Sequence, residues 1–402
     1  MSSRATDLAA KRKMRNMLYK TKTGEEQESW RTKRKRRKER NEEGLIEKKR
    51  LVDEARANGE TGREKISKPI ESQISANKAS SENKGKPYSL SIAIPGSFLN
   101  NAQSSELRTY MAGQIARAAT LFQVSEIIVY DETARMTDEQ LNGYWGGHWY
   151  GDLHPSDSNN EANFHLARIL EYLECPQYLR RALFLRQRPL QYAGLLNPLD
   201  SLHHLKADNL TVRYREGVIL DKPVKKGRGP LVDIGLDKEL QLEDETPLPS
   251  GTRITVEMGL PETDFCKRYR GRLTSAARVT KKTGLYWGYS VRLAKRIGEV
   301  VDRSKYDYIV GTSPKGKRAA DMEVCTLTHA KILMVFGGME GVDAAIEGDE
   351  AYGEKSAEEA FDLLLRPFVS NGSRSQRIEE DVLVGLSTVD SRLADIYDYH
   401  PE

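Results

Sequence analysis

Ser89-Leu90-Ser91-Ile92-Ala93-Ile94-Pro95-Gly96 alternates small and branched residues and stops at a Pro-Gly pair, the pattern of a β-strand feeding a tight loop. Downstream, Leu107, Tyr110, Met111, Ile115, Ala118 and Phe122 recur at helical spacing. Glu126-Ile127-Ile128-Val129-Tyr130-Asp131 is then a short apolar run ending on an acid. Strand, helix and strand within about 45 residues form a βαβ unit, whose crossover demands parallel strands. The fold class expected from this stretch is α/β with a parallel sheet.

On its N-terminal side the pattern fades. Residues 1–85 hold no periodic apolar stretch, and Arg31–Arg40 reads RTKRKRRKER, eight basic residues in ten. Such a block repels itself, stays solvated and attracts polyanions, so a disordered basic tail is expected over 1–85. A solubility run, a nuclear address and a nucleic-acid arm are all compatible with it. The formal charge of the 402 residues is only +4, and 38% are hydrophobic. Residues 86–402 are long enough for a sizeable core. Cys175, Cys266 and Cys325 are far apart with no CxxC, which argues against a zinc site or a disulfide framework. No signal peptide and no membrane-spanning apolar run is read, so a reducing compartment, cytosol or nucleus, is expected, with no membrane partner and no metal.

On the C-terminal side, residues 132–160 read as an irregular insertion rich in Gly, Asn and Trp. Ser158 and Glu161 form a capping box for a helix carrying Phe164, Ala167, Leu170 and Leu173, ended by Pro176. From 205 to 284 short alternating runs (Tyr214–Leu220, Pro230–Leu236, Thr252–Met258, Arg272–Val279) are separated by basic turns, predicting a small inserted all-β barrel resembling an OB-fold. The α/β pattern resumes over 285–402. Val291, Ala294 and Ile297 predict a helix, Tyr306–Val310 and Lys331–Phe336 predict strands, and Phe361–Leu365 is a further apolar run. A last helix carries Ile378, Val382, Leu383 and Leu386, with Ser373 and Gln376 as its capping box.

Three glycine-bearing loops, 311–316, 337–341 and 370–374, follow these runs. In an open α/β sheet ligands sit at the carboxyl ends of strands, and glycine lets backbone approach a flat ligand. No GxGxxG or GxxxxGK[ST] occurs in them, which disfavours a Rossmann or P-loop site. His203-His204 lacks partners at metal-ligand spacing. Trp145, Trp149 and Tyr150 suit either base stacking or a small core.

Tyr88–Asp131, Glu171–Arg180, Gly194–Asp200, Gly284–Leu293, Gly311-Thr312-Ser313, Val335–Gly341 and Gly372-Ser373-Arg374 with Arg377 together resemble the eukaryotic and archaeal branch of the SPOUT methyltransferases, over essentially all of 86–390. The resemblance implies a C-terminal segment threaded into a trefoil knot, against the general rule that chains are unknotted. It implies S-adenosyl-L-methionine bound bent in that knot, with S-adenosyl-L-homocysteine as product, and a homodimer. Carried over by position, the cofactor walls are Gly311, Thr312, Ser313, Gly337, Gly338, Glu340, Gly341, Leu365, Pro367, Phe368, Asn371, Gly372 and Ser373. Where relatives carry an Asn-Thr-Cys-Pro-like stretch this chain has Arg366-Pro367-Phe368-Val369, a departure that main-chain contacts would tolerate.

Methyl transfer from an activated sulfonium needs alignment, and a uracil nitrogen also needs its proton removed and its charge stabilised. Arginine is a charge stabiliser rather than a base. Arg292 and Arg374 are the catalytic candidates; Arg108, Arg117, Arg377, Lys225, Lys226 and Arg228 are the candidates for RNA contact. The function expected is methylation of a base in structured RNA, foremost ribosomal RNA, in the nucleus or nucleolus. A non-catalytic RNA-binding scaffold and a chromosome- or spindle-associated adaptor are the alternatives.

Overall fold

The structure, a computed structural model, describes residues 85–146, 158–225, 227–245, 248–259, 267–324, 329–350, 352, 356–370, 372–373 and 376–399. The expected tail, and with it the basic block, lies outside them. The body begins with β1 (Tyr88–Pro95), a 3₁₀ turn (Gly96–Asn101), α1 (Ser105–Leu121) and β2 (Glu126–Tyr130). Then come α2 (Asp138–Trp145), α3 (Ser158–Glu174) and α4 (Gln177–Leu183). The strands β3 (Tyr214–Ile219), β4 (Leu231–Asp233), β5 (Leu240–Leu242), β6 (Arg253–Met258) and β7 (Tyr269–Thr274) follow, then α5 (Ala276–Thr283) and β8 (Ser290–Ala294). Last are β9 (Tyr308–Lys317), β10 (Ala330–Val335), α6 (Gly341–Glu347), α7 (Ala357–Ala360), β11 (Leu363–Leu365) and α8 (Ile378–Tyr397).

Six strands form one sheet in the order β11-β9-β10-β1-β2-β8, every pair parallel. The period of two in the strands assigns its faces. Leu90, Ile92 and Ile94 of β1, Ile127 and Val129 of β2, and Ile332 and Met334 of β10 pack with α1, α3 and α8. Ala93, Ile128, Tyr130, Leu333 and Val335 pack with α6 and α7 on the other face. Both faces are covered, which is why these strands read as nearly continuous apolar runs. Ser104 caps α1 by accepting from Leu107 N–H at 3.3 Å, as a Ser before a helical stripe should.

Between α4 and β8 the strands β3-β4-β5-β7-β6 close into a barrel with its own core of Ile219, Val232, Leu240 and Val256. β5 runs parallel to β7; β3 pairs antiparallel with β4 and β6. The molecule departs from the sequence-based expectation at five places. Within 132–160, read as irregular, Thr137 and Gln140 form a capping box that starts helix α2. Val291, Ala294 and Ile297 do not start a helix: β8 is the sheet's edge strand, with Val291 and Leu293 on one core, Ala294 on the other, and a 3₁₀ turn at Ile297–Glu299. The run Arg272–Val279 is half strand and half α5, because Ser275 caps a helix by accepting from Arg278 N–H. The segment 311–316 is not a free loop but the continuation of β9. Helix α8 is preceded by Arg377 with no side-chain cap, so the expected Ser373–Gln376 box does not form.

A buried polar hub joins barrel to sheet. Arg253 donates to Glu174 and Glu216 (2.5 to 3.0 Å), and Trp287 Nε1–H and Thr255 Oγ1–H donate to Glu216 at 2.7 and 2.6 Å. His203 Nε2 lies 3.0 Å from a Glu174 carboxylate oxygen, and His204 Nε2 lies 2.6 Å from the Glu174 carbonyl. The two histidines are thus pinned to the end of α3. Among the described residues no cluster of His, Cys, Asp or Glu is arranged to hold a metal ion, and no helix is long and apolar enough to cross a membrane.

Candidate active site

From β1 the chain leaves toward β2; from β10, its neighbour on the other side, it leaves toward the opposite edge. Such a reversal is where an open parallel sheet holds its ligand, at the carboxyl ends of the strands. Here those ends are Pro95-Gly96-Ser97 after β1, Asp131-Glu132 after β2 and Gly337–Gly341 after β10. Tyr130 Oη–H donates to the Phe336 carbonyl at 2.8 Å and ties the ends of β2 and β10 together across β1. Burial pushes this phenol well above its ordinary range, so it remains a donor.

The backbone at this point is packed too closely for side chains. A Cβ on Gly337 would lie 2.5 Å from Val342 N, and one on Gly338 would strike the Glu132 carboxylate. Gly341 holds φ +88°, where a Cβ is penalised, and its N–H donates to the Gly338 carbonyl at 3.2 Å, closing the turn that starts α6. At the neighbouring edge, Leu364 pairs with Gly311 but Leu365 pairs with Lys317, so residues 312–316 bulge out of the ladder. A Cβ on Gly316 would lie 2.5 Å from the Leu364 carbonyl oxygen, which is why glycine stands there.

Two adjacent acids end β2, and their surroundings differ. Asp131 is buried and saturated: it accepts from the N–H groups of Thr133, Arg135 and Met136 and from the Thr133 hydroxyl. It builds the turn. Glu132, half-buried, faces Gly338. Burial pushes its carboxyl up; the Ser97 hydroxyl opposes this, and the charges of Asp131 and Glu340 add to the rise. A carboxyl with raised proton affinity at a strand-end ligand site is a candidate proton acceptor. Glu132 was missed in the sequence because nothing in Tyr130-Asp131-Glu132-Thr133 says which acid the turn consumes.

The predicted residues divide by position. Gly311, Thr312 and Ser313 lie in β9, with Thr312 and Ser313 buried, and Leu365 is buried in β11 beside them. Pro367 and Phe368 are half-buried, while Gly372 and Ser373 are exposed. Gly337, Gly338, Glu340 and Gly341 form the β10 turn. Asn371 and Arg374 lie outside the described residues. Arg292 is not brought to these loops: its Nε donates to Glu126 at 3.1 Å, at the start of β2, and Tyr306 Oη–H donates to the same carboxylate at 2.6 Å. Arg377 precedes α8 and shares a shallow groove with Arg117, whose guanidinium donates to the Leu199 carbonyl at 2.6 Å. Arg108 sits on α1 and donates to Asn100 at 3.2 Å. On the barrel, Lys225 and Arg228 are exposed, and Lys226 lies outside the described residues.

A family model described as "Putative RNA methyltransferase" matches residues 89–389. The chain belongs to this family. It is 58% identical over 309 residues to "Putative methyltransferase spot-1" of Caenorhabditis elegans, covering 76% of this chain and 82% of that one. It is 42% identical over 322 residues to the "28S rRNA (uridine-N(3))-methyltransferase" of Mus musculus, covering 79% and 80% of the two chains. The Homo sapiens protein of the same name is 40% identical over 333 residues, covering 81% and 84%. The matched span of this RNA methyltransferase begins in β1, takes in the whole barrel and ends within α8, so the barrel lies inside the matched span.

Proposed function

We propose that this methyltransferase transfers a methyl group from S-adenosyl-L-methionine to N3 of a uridine in large-subunit ribosomal RNA. Similarity to the mouse and human enzymes over most of both chains supports the substrate. The observation that carries the site is the meeting of the Gly337–Gly341 turn with Glu132 over the end of β1, at the point where the sheet reverses direction. The residues present fit the cofactor. No Cβ fits on Gly338, against which the Glu132 carboxylate lies, and space is open around Gly372. Pro367 and Phe368, half-buried, offer backbone and apolar surface for an adenosine, while Gly311 and Leu365 are buried. When bound, the sulfonium supplies an activated methyl group. Glu132 accepts the N3 proton, and Arg374 stabilises the charge that develops on the base. Arg292 is left out of this assignment because its charge is committed to Glu126.

The proposed knot has support in the path of the C-terminus. β11 lies at the sheet's edge beside β9, yet the next helix packs near its centre: Lys86 and Tyr88 bond Asp390 of α8 at 2.7 and 2.8 Å. The chain therefore crosses back over the sheet, and Arg392 donates to the Met322 carbonyl, in the link between β9 and β10, at 3.3 Å. For the barrel, a five-stranded closure with its third and fifth strands parallel supports an OB-type single-strand binder, with Lys225 and Arg228 as phosphate contacts. A homodimer and a nuclear, nucleolar location complete the proposal. Calorimetric titration of SAM and SAH into the full chain, with Gly337→Arg as control, tests it. Binding lost in the control supports the pocket, and absence of binding in the wild type refutes it.

A further inference from the structure

We propose that a cleft at the N-terminus of α1 is a phosphate-binding subsite for one nucleotide of a single RNA strand. This rests on the RNA reading above and adds a second anchoring point to it. The turn Gly96–Asn101 starts at the active-site strand ends and finishes at this cleft, which holds about 480 Å³ between α1, α3 and the segment 186–192.

Three observations converge. His165 of α3 lines the cleft; it is only 8% exposed, and its Nε2 has no hydrogen-bond partner among the described residues. An unpaired buried polar atom of this kind costs about 1–3 kcal/mol, and Nε2 has almost no exposed surface beside the cleft. Second, Arg108, Arg168, Arg186 and Arg188 all line it. Arg168 is paired with Glu171 and Arg108 with Glu161, the one carboxylate among the described lining residues. Arg186 and Arg188 are exposed and make no ion pair or side-chain hydrogen bond among the described residues. Third, the cleft opens on Ser104 and Ser105 at the N-terminus of a 17-residue helix, whose first turn also holds the Glu106 carboxylate, bonded to the backbone and to the Ser104 and Tyr192 hydroxyls.

Unpaired guanidinium groups beside a helix N-terminus suit a phosphate, which Arg binds bidentately. Beyond the four arginines and Glu161, the lining side chains carry no charge. Burial, with Arg108 and Arg188 adding to it, pushes His165 down to about 4, so its ring is uncharged at neutral pH. The amides of Gln187 and Gln191 can meet a base edge. A wholly cationic groove would not discriminate; a phosphate seat with a neutral hydrogen-bonding wall is matched to a nucleotide.

The test uses the full chain, the Arg186→Ala/Arg188→Ala variant and a fluorescein-labelled single-stranded RNA, read by anisotropy across a salt series. Both arginines are exposed, so folding is expected to persist, and a thermal melt checks it. The expected result is roughly tenfold weaker RNA binding, with the log–log salt slope reduced by about 0.7 for each phosphate no longer neutralised. SAM affinity by calorimetry is expected to stay unchanged. A wild type that binds no single-stranded RNA, or a variant unchanged in affinity and salt slope, overturns the subsite. Loss of SAM binding in the wild type alongside intact RNA binding would instead remove the methyl-transfer reading and leave this site standing.

Discussion

Asp131 and Glu132 are neighbours in different surroundings, and the difference is set by hydrogen bonds. Asp131 has four donors and a place in the turn; Glu132 has burial, a glycine and two like charges nearby. Glu132→Gln keeps the shape and removes the proposed proton acceptor, so kcat is expected to fall at least about 100-fold while the SAM dissociation constant stays within a few-fold. Single-turnover kinetics and calorimetry read the two separately; an unchanged kcat rejects the assignment. Because burial raises this carboxyl, the acid limb of the kcat–pH profile should lie above the ordinary carboxylate range, the rate falling as pH drops through it. The sequence could supply the glycines, since their spacing after apolar runs is visible. It could not supply Glu132 or His165, whose meaning depends on which neighbours fold back upon them. For Arg292 likewise, the sequence shows a charge on a strand, not that Glu126 lies within 3.1 Å of it.

At the scale of elements, the joint between sheet and barrel rests on Glu174 at the end of α3. Burial alone would raise its carboxyl, but the Arg253 charge and the bonds from His203 and Arg253 hold it at about 2. Arg253→Met would leave Glu174 and Glu216 buried without their cation, with an expected cost of about 3–5 kcal/mol by denaturant unfolding. The isosteric loss of all charges need not cost as much, so Arg253→Met combined with Glu174→Gln and Glu216→Gln should recover part of it. Acid should act in two stages. His165 and His204 are both pushed down to about 4, chiefly by burial, so the unfolded chain takes up their protons first. Their share of stability is complete above about 6.5 and is lost as pH falls toward 4. The Glu174 share, present above about 4.3, is lost only as pH falls further, toward 2. A thermal midpoint that is flat from neutral pH down to 4 would contradict the first stage. The strands β1, β2 and β10 were legible because burial on both faces leaves long apolar runs. β5, at Leu240–Leu242, is too short to show alternation, and the β9 bulge depends on how β11 pairs with it.

For the whole molecule, the strand order β11-β9-β10-β1-β2-β8 is not written in any local pattern; a βαβ unit says that strands are parallel, and only the family resemblance spoke to the rest. What the finished surface adds is an apolar face. Leu107, Tyr110 and Leu121 of α1 and Leu383 of α8 stand about half exposed, Tyr110 at 57%, around the shallow groove that Arg117 and Arg377 also line. Single exposed apolar residues need no explanation, but a cluster across two neighbouring helices does. In the proposed homodimer a second copy of the chain would cover it, because a two-fold axis through the groove would use each residue twice. Stable dimers bury about 1,200–2,000 Å² in all, within reach of two helices of 17 and 20 residues per copy. Leu107→Glu with Tyr110→Glu is therefore expected to give a monomer in sedimentation velocity, with unchanged far-UV dichroism because both positions face solvent in the single chain. Wild-type unfolding should depend on protein concentration, and that of the variant should not, because association stabilises only the folded form. A variant that stays dimeric would move the interface off α1, and concentration-independent unfolding of the wild type would show that the folded chain needs no partner to be stable.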